Sequence, residues 1–189
     1  MSLVAYVDYL MKKGLKGLPE PEIEAKLDEI ILIFRFLADK DVFEGYYKSS
    51  LAKRLLYNKS ISDDAEKGMV HKLKSECGCQ YTQRIEVMMK DMHTSEETNR
   101  EFRGHPYYRR SAIDLSVKVL TTGNWPNDSA PSACTLPKEL VACKNLFTEF
   151  YMNKHSGRVM TWKCNLGEAD LRAIMGQNRT KHEFVVSTY

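Results

Sequence analysis

The spacing of the apolar residues changes near residue 104, and this change constrains the fold more than any other feature. Before it, apolar residues recur every three or four positions, which is the period of an α-helix. After it, apolar and polar residues alternate, which is the period of a half-buried strand; the clearest run is Ile113, Leu115, Val117 and Val119. The sequence therefore predicts an α+β fold, with a helical bundle followed by a small, mainly antiparallel sheet and one packed helix.

The two patterns meet at Gly104 and Pro106, both of which disfavour the continuation of a helix. We therefore place a domain boundary here, with a helical bundle at residues 1–104 and an α/β module at residues 105–189. The sequence stops at Tyr189 inside a strand-like pattern, so we expect a module that is truncated at its C-terminus.

Capping and breaking residues predict where the helices of the first part begin and end. Ser62 or Asp63 is expected to cap a helix that Gly78 ends. The charged step at residues 39–41 is expected to separate two longer apolar stripes. A last helix is expected to run as far as Phe102, so the bundle would consist of several amphipathic helices that bury their stripes against one another.

The second part contains four strand-like runs and one helix. The runs lie near residues 113–119, 159–166, 169–173 and 183–189, and the helix carries apolar residues from position 140 to position 151. A small sheet of this kind has open edges, whose unpaired N–H and C=O groups another chain can complete. Composition alone leaves two alternatives open: strand addition by a partner, or coverage of the edge by a downstream part of the chain.

Membrane insertion and secretion are not indicated by the sequence. No apolar run approaches the roughly 18 residues of a membrane-spanning helix, and the longest run, at residues 30–34, is ended by Arg35. The N-terminus lacks the pattern of a secretory signal. The five cysteines have no framework spacing, so we expect free thiols in a reducing, intracellular compartment.

The sequence offers little for catalysis or for metal binding. Cys77 and Cys79 supply two thiols without the second pair that a structural zinc site requires. Neither of the common phosphate-binding glycine motifs occurs. We therefore assign no catalytic, cofactor-binding or metal-binding residue and no cofactor, and we expect the protein not to be an enzyme.

A basic stripe accompanies three tyrosines in the first part. It consists of Lys48, Lys53, Arg54 and Lys59. Such a stripe can bind nucleic acid, so one alternative function is that of an α+β nucleic-acid-binding protein. It can equally be the solvated face of an amphipathic helix or a contact for an acidic protein. Because the net charge is only +3, nucleic-acid binding is the less favoured alternative.

Several separate motifs, in the right order over nearly the whole chain, resemble the cullin family. They include KDVFE at residues 40–44, LAKRLL at 51–56, KLKSECG at 72–78, VLTTGNWP at 119–126, KHSGR at 154–158 and Trp162. The sequences at residues 13–18 and 58–64 are most similar to the cullin subgroup that uses BTB adaptors.

The resemblance implies a non-catalytic scaffold of a ubiquitin ligase in the cytoplasm and nucleus. In this family a strand of a RING-box protein joins the α/β sheet, and the RING-box protein then recruits a ubiquitin-conjugating enzyme. By motif match, the wall of that site would be Asp114, Leu115, Ser116, Val117, Lys118, Val119 and Leu120, with Trp162 on a neighbouring strand. The lysine that accepts the ubiquitin-like modifier lies in a downstream module of the family, so no lysine here is assigned that role.

Overall fold

The computed structural model describes residues 2–111, 113–126, 135–175 and 180–187. In this part of the chain there are seven α-helices and one two-stranded antiparallel sheet, so the predicted α+β fold class is confirmed. The chain divides into two units. The first comprises Met1–Arg100 with Ser116–Asp128, and the second comprises Glu101–Leu115 with Ser129–Tyr189.

Five helices form the first unit, although residues 101–104 of the fifth belong to the second unit. They are α1 (Leu3–Tyr9, continued by a π-helical turn at Leu10–Gly14), α2 (Glu20–Arg35), α3 (Lys40–Leu56), α4 (Asp63–Cys77) and α5 (Cys79–Gly104). Of the two predicted caps for α4 the structure uses Ser62, whose hydroxyl accepts a hydrogen bond from the N–H of Ala65 at 3.2 Å. The helix ends at Gly78, whose positive φ of 84° favours glycine.

The core of the first unit is formed where the apolar stripes of its helices meet, as the period of the sequence predicts. Its fully buried side chains include Val7, Leu27, Ile30, Phe34, Tyr47, Leu51, Met69, Leu73, Ile85 and Met88. The rings of Phe34 and Phe43 pack edge to face, with their centroids 5.0 Å apart, and so join α2 to α3. The break between these two helices lies at residues 36–39, so it overlaps the predicted charged step only at Asp39, and Lys40 and Asp41 begin α3.

The second unit contains α6 (Pro106–Arg109), α7 (Lys138–Lys154) and two strands, β1 (Glu168–Met175) and β2 (Thr180–Ser187). The strands pair antiparallel with Leu171 opposite Phe184. An aromatic cluster forms the core: the ring of Phe102 lies 5.1 Å from that of Phe147 and 5.3 Å from that of Phe150. Helix α7 corresponds to the helix that the sequence predicts in this part of the chain, and its aromatic side chains pack on Phe102.

Two of the four predicted strands are found and two are not. The runs at 169–173 and 183–189 correspond to β1 and β2, although residues 188 and 189 lie outside the described part of the chain. The runs at 113–119 and 159–166 form no strand in the described residues, and the second of them includes a 3₁₀ turn at Cys164–Leu166. Alternation therefore predicted a strand correctly only where a neighbouring strand was present to pair with it.

Candidate partner-binding site

The residues predicted to receive a partner strand fall in both units. Residues 116–120 belong to the first unit, whereas Asp114, Leu115 and Trp162 belong to the second. We therefore describe the two groups separately.

In the first unit, residues 116–121 lie along α5 and are held there by side chains of the helix. The side-chain amide of Asn99 donates to the carbonyl of Val117 and accepts from its N–H, both at 2.8 Å. One helical turn earlier, the hydroxyl of Ser95 donates to the carbonyl of Val119 at 3.1 Å and accepts from its N–H at 2.8 Å. Alternate residues thus present both backbone groups to one neighbour, as they would in a β-strand.

Asp91 continues the same row of side chains. Its carboxylate accepts from the N–H of Thr121 at 2.7 Å, from the Thr121 hydroxyl at 2.8 Å and from the indole N–H of Trp125 at 2.8 Å. Trp125 is buried in the core of the first unit. We call Asp91, Ser95 and Asn99 the polar ladder. The polar ladder fixes residues 116–121 to the helical bundle, and through Asp91 it also fixes Trp125, which follows the segment.

The polar ladder works because the helix and the segment have matching repeats. Its members are four residues apart on α5, which corresponds to about 6 Å along a helix axis. Their partners, Thr121, Val119 and Val117, are two residues apart, which corresponds to about 6.6 Å along a strand. Helix α5 therefore takes the place of a neighbouring strand, which explains why this stretch alternates in sequence without pairing in the sheet.

The opposite edge of the segment is different. In the described part of the chain, the backbone groups of Ser116 and Leu120 make no hydrogen bond. Ser116 is exposed, and Leu120 packs its side chain against the core of the bundle. One edge of the segment is thus bonded to α5, while on the other edge the backbone groups of these two residues have no hydrogen-bond partner in the described part of the chain.

Lys118 connects the segment to a second helix. Its ammonium group donates to the carbonyl of Leu55 at 3.4 Å, to the carbonyl of Leu56, and to the side chain of Asn58 at 3.5 Å. The two carbonyls are among the last of α3, where a helix lacks internal donors and favours positive charge. The segment is therefore attached to both α3 and α5.

The predicted residues of the second unit make their own contacts. The carboxylate of Asp114 accepts from the hydroxyl of Tyr108 at 2.9 Å, and this bond raises the pKa of Tyr108. The indole N–H of Trp162 donates to the hydroxyl of Thr148 at 3.0 Å, and its ring packs edge to face on Phe147. The expectation that Trp162 lies on a strand is wrong, because this tryptophan packs on α7 outside β1 and β2.

The prediction of an exposed basic stripe is wrong for Arg54. This side chain is fully buried, and its guanidinium binds both carboxylate oxygens of Glu66, at 2.6 and 2.9 Å, and the carboxylate of Asp8 at 2.7 Å. Arg54 follows Tyr47 by seven positions and Leu51 by three, so it lies on the buried face of α3.

The other three members of the stripe reach the surface to different degrees. Lys53 and Lys59 are exposed, and Lys48 is half-buried. The ammonium of Lys59 lies 5.2 Å from the centre of the Tyr57 ring. Without Arg54, the stripe carries fewer exposed positive charges than the sequence predicted.

Sequence reasoning did not single out the polar ladder. Asp91, Ser95 and Asn99 are each less than a tenth exposed, although their residue types are mostly found at surfaces. A signal was present, because three short polar side chains recur at intervals of four on one face of a long helix. A buried polar row of this kind requires hydrogen-bond partners from another segment.

Two further findings concern metal ligands and membrane-spanning helices in the described part of the chain. Among them, no group of three or more His, Cys, Asp or Glu side chains is arranged to hold a metal ion. Cys77 ends α4 and Cys79 begins α5, on either side of Gly78. No helix in this part of the chain combines the length and the hydropathy needed to cross a membrane.

Comparison with known proteins identifies the family. Residues 2–99 match the model of the cullin alpha solenoid domain, and residues 119–189 match that of the cullin alpha+beta domain. Cullin-3A of Arabidopsis thaliana is 47% identical over 97% of this chain and 25% of its own length. Cullin-3 of Dictyostelium discoideum is 45% identical over 97% and 24%, and Cullin-4A of Mus musculus is 43% identical over 99% and 24%.

The chain thus spans about a quarter of the length of the curated relatives it matches. The two family models follow each other along the chain in the same order as the helical bundle and the α/β unit. On these matches, and on identities that extend over nearly all of its residues, the chain belongs to the cullin family and is similar to cullin-3.

Proposed function

We propose that this chain forms part of the scaffold of a ubiquitin ligase and that its segment of residues 116–121 accepts a strand from a RING-box protein. The RING-box protein would in turn bring a ubiquitin-conjugating enzyme to the complex. One observation carries the proposal: the segment has strand-like backbone pairing along one edge and an open edge at Ser116 and Leu120. In this proposal the chain positions its partners and performs no reaction itself.

The polar ladder makes the segment a suitable acceptor. An extended stretch that is already fixed loses less conformational entropy when a second strand pairs with it. Because Val117 and Val119 are committed to Asn99 and Ser95, an incoming strand would pair with the backbone of Ser116 and Leu120 on the opposite edge, which fixes its register. Pairing of this kind takes its affinity from main-chain hydrogen bonds and its specificity from alternate side chains.

A substitution at Ser116 tests the open edge of the segment without changing the edge that is bonded to α5. A Ser116→Pro variant lacks the N–H on the open edge but leaves the polar ladder intact, whereas Ser116→Ala keeps that N–H and serves as the matched control. The probe is a synthetic peptide that contains the N-terminal strand of a RING-box protein, titrated into the chain by fluorescence anisotropy. We expect Ser116→Pro to weaken binding about tenfold and Ser116→Ala to change it less than twofold.

Two results would contradict the proposal. The first is a parent chain that does not bind the peptide at all. The second is a Ser116→Pro variant that keeps the far-UV circular dichroism of the parent and binds equally well. A salt titration separates strand addition from the nucleic-acid alternative, because phosphate binding weakens steeply with ionic strength and backbone pairing does not.

A further inference from the structure

A groove of about 450 Å³ lies between α4 and α5 in the first unit, away from the polar ladder. The two helices are consecutive and are joined by the single residue Gly78. Side chains of each helix form one wall of the groove. Lys67, Val70 and Lys74 line the wall on α4, and Glu86, Met89 and Lys90 line the wall on α5. The groove combines an apolar floor with a charged rim.

The floor belongs to the core of the bundle. Val70 is 5% exposed and packs in the core, and Met89 is half-buried against the same core. The floor is therefore held in place from below, and the exposed part of Met89 faces the groove. A methionine side chain adapts its shape to different apolar groups, which suits a binding surface.

The rim carries an excess of positive charge. Three lysines and one glutamate line the groove, which leaves a charge of +2 when its two histidines, His71 and His93, are neutral. The glutamate is already occupied, because Glu86 accepts from the ammonium of Lys74 at 3.0 Å and from the hydroxyl of Thr82 at 2.6 Å.

The positive charges of Lys67 and Lys90 are available to a partner. Lys67 is two-thirds exposed and has a long contact of 3.4 Å with Asp64, which is itself 92% exposed. A pair of this kind adds little stability and is easily exchanged. Lys90 is exposed on the opposite wall. Positive charge therefore flanks the apolar floor from both helices.

From this arrangement we infer that the groove binds an acidic amphipathic helix of a protein partner. Lys67 and Lys74 are seven residues apart, or about 10 Å along α4, which is the length of two helical turns. A third helix laid in the groove would turn an apolar stripe toward Val70 and Met89. Its carboxylates would face Lys67 and Lys90, which is the helix-in-groove mode of recognition with complementary charge. This surface is independent of the strand-binding role of residues 116–121.

The test uses the chain of residues 1–189 and a designed 18-residue peptide with leucines at helical spacing and glutamates on both flanks of the leucine stripe. Two control peptides carry Glu→Gln or Leu→Ser throughout. Binding is measured by fluorescence anisotropy for the parent, for the double variant Lys67→Glu/Lys90→Glu and for Lys13→Glu/Lys16→Glu, which makes the same charge change at exposed lysines outside the groove.

We expect the acidic leucine peptide to bind the parent, and the groove variant to bind it at least about tenfold more weakly. The Lys13→Glu/Lys16→Glu variant is expected to change the affinity less than threefold, and both control peptides to bind poorly. Binding of the peptide should also shift the NMR signal of the Met89 methyl group.

Three outcomes would overturn the inference. The acidic leucine peptide could fail to bind the parent at a concentration of about 1 mM. The two double variants could lose affinity equally, which would mean that only the overall charge matters. Finally, the Leu→Ser peptide could bind as tightly as the leucine peptide, which would identify the groove as a general polyanion site.

Discussion

The side-chain amide of Asn99 makes hydrogen bonds with both backbone polar groups of Val117, each at 2.8 Å. Asn99 thereby does for Val117 what a residue of a neighbouring strand would do. Since Ser95 binds both backbone groups of Val119 in the same way, two side chains of one helix replace two residues of a β-ladder.

Replacing Asn99 by leucine should destabilise the first unit by about 2 kcal/mol, because Val117 then keeps a donor and an acceptor without partners. Equilibrium unfolding in urea measures the change. Arg100→Ala, at the exposed position that follows, is the matched control and should alter stability by less than about 0.5 kcal/mol. If both variants unfold at the same urea concentration, the amide does not hold the segment in solution.

Replacing Lys118 by methionine tests the attachment of the segment to α3. Methionine keeps the length and the apolar stem of the side chain but cannot donate to the carbonyls of Leu55 and Leu56. We expect a loss of about 1 kcal/mol together with faster hydrogen exchange at the C-terminal end of α3. Lys118→Arg retains the positive charge and should lose less than the methionine variant. An equal loss in both variants would show that the charge at the end of α3 is not what stabilises this contact.

The longer helices could be predicted from the sequence because each depends on local features, whereas the short helix α6, which begins at Pro106, was not predicted. The apolar period gives the buried face, and Ser62, Gly78 and Pro106 act within a few residues of the boundaries that they set. The hydrogen-bond partners of Val117 and Val119 could not be predicted in this way. Their alternation requires only an extended chain with a neighbour, and a polar helix face meets that requirement as well as a strand does.

Arg54 illustrates the same limit for charged residues. Its place on the apolar stripe of α3 could be read from its distance to Tyr47 and Leu51, but a buried arginine is plausible only when its partners are known. Those partners, Asp8 and Glu66, lie 46 positions before it and 12 positions after it. A lysine or arginine in a basic run is most often exposed, so composition favoured the wrong interpretation.

Removing Arg54 alone should be strongly destabilising. An Arg54→Met variant leaves the Glu66 carboxylate buried without its cation, which typically costs about 3–5 kcal/mol. The double variant Arg54→Met/Glu66→Leu removes both charges and should be more stable than the single variant. Urea unfolding compares the two. If the single variant does not fold, recovery of helical circular dichroism in the double variant gives the same answer.

A double variant that is less stable than Arg54→Met would contradict this account. It would mean that the methionine and leucine side chains fill the site poorly, or that Glu66 remains well bonded through the hydroxyl of Ser60, which donates to it at 2.7 Å. The Ser60→Ala variant, made in the Arg54→Met background, distinguishes these two explanations, because it lowers stability further only in the second case.

Asp8 should make the stability of the bundle sensitive to acid. Burial acts to raise the pKa of Asp8, but hydrogen bonds from Lys12 at 2.6 Å and from Arg54 at 2.7 Å outweigh it and hold this pKa below its ordinary value of 3.8. A carboxylate with a depressed pKa contributes its full stabilisation above the unfolded value. The contribution is lost as the pH falls through that value toward the folded pKa.

The difference in unfolding free energy between the parent and Asp8→Asn should therefore shrink as the pH is lowered from about 6 to about 3. Glu29→Gln, at a carboxylate that is 57% exposed and lies away from the first turn of α2, is the control and should differ little from the parent over the same range, because exposed ion pairs contribute little. A difference for Asp8→Asn that stays constant or grows on acidification would mean that the folded bundle does not stabilise the charged form of Asp8. In that case the contact between α1 and Arg54 would not persist in solution.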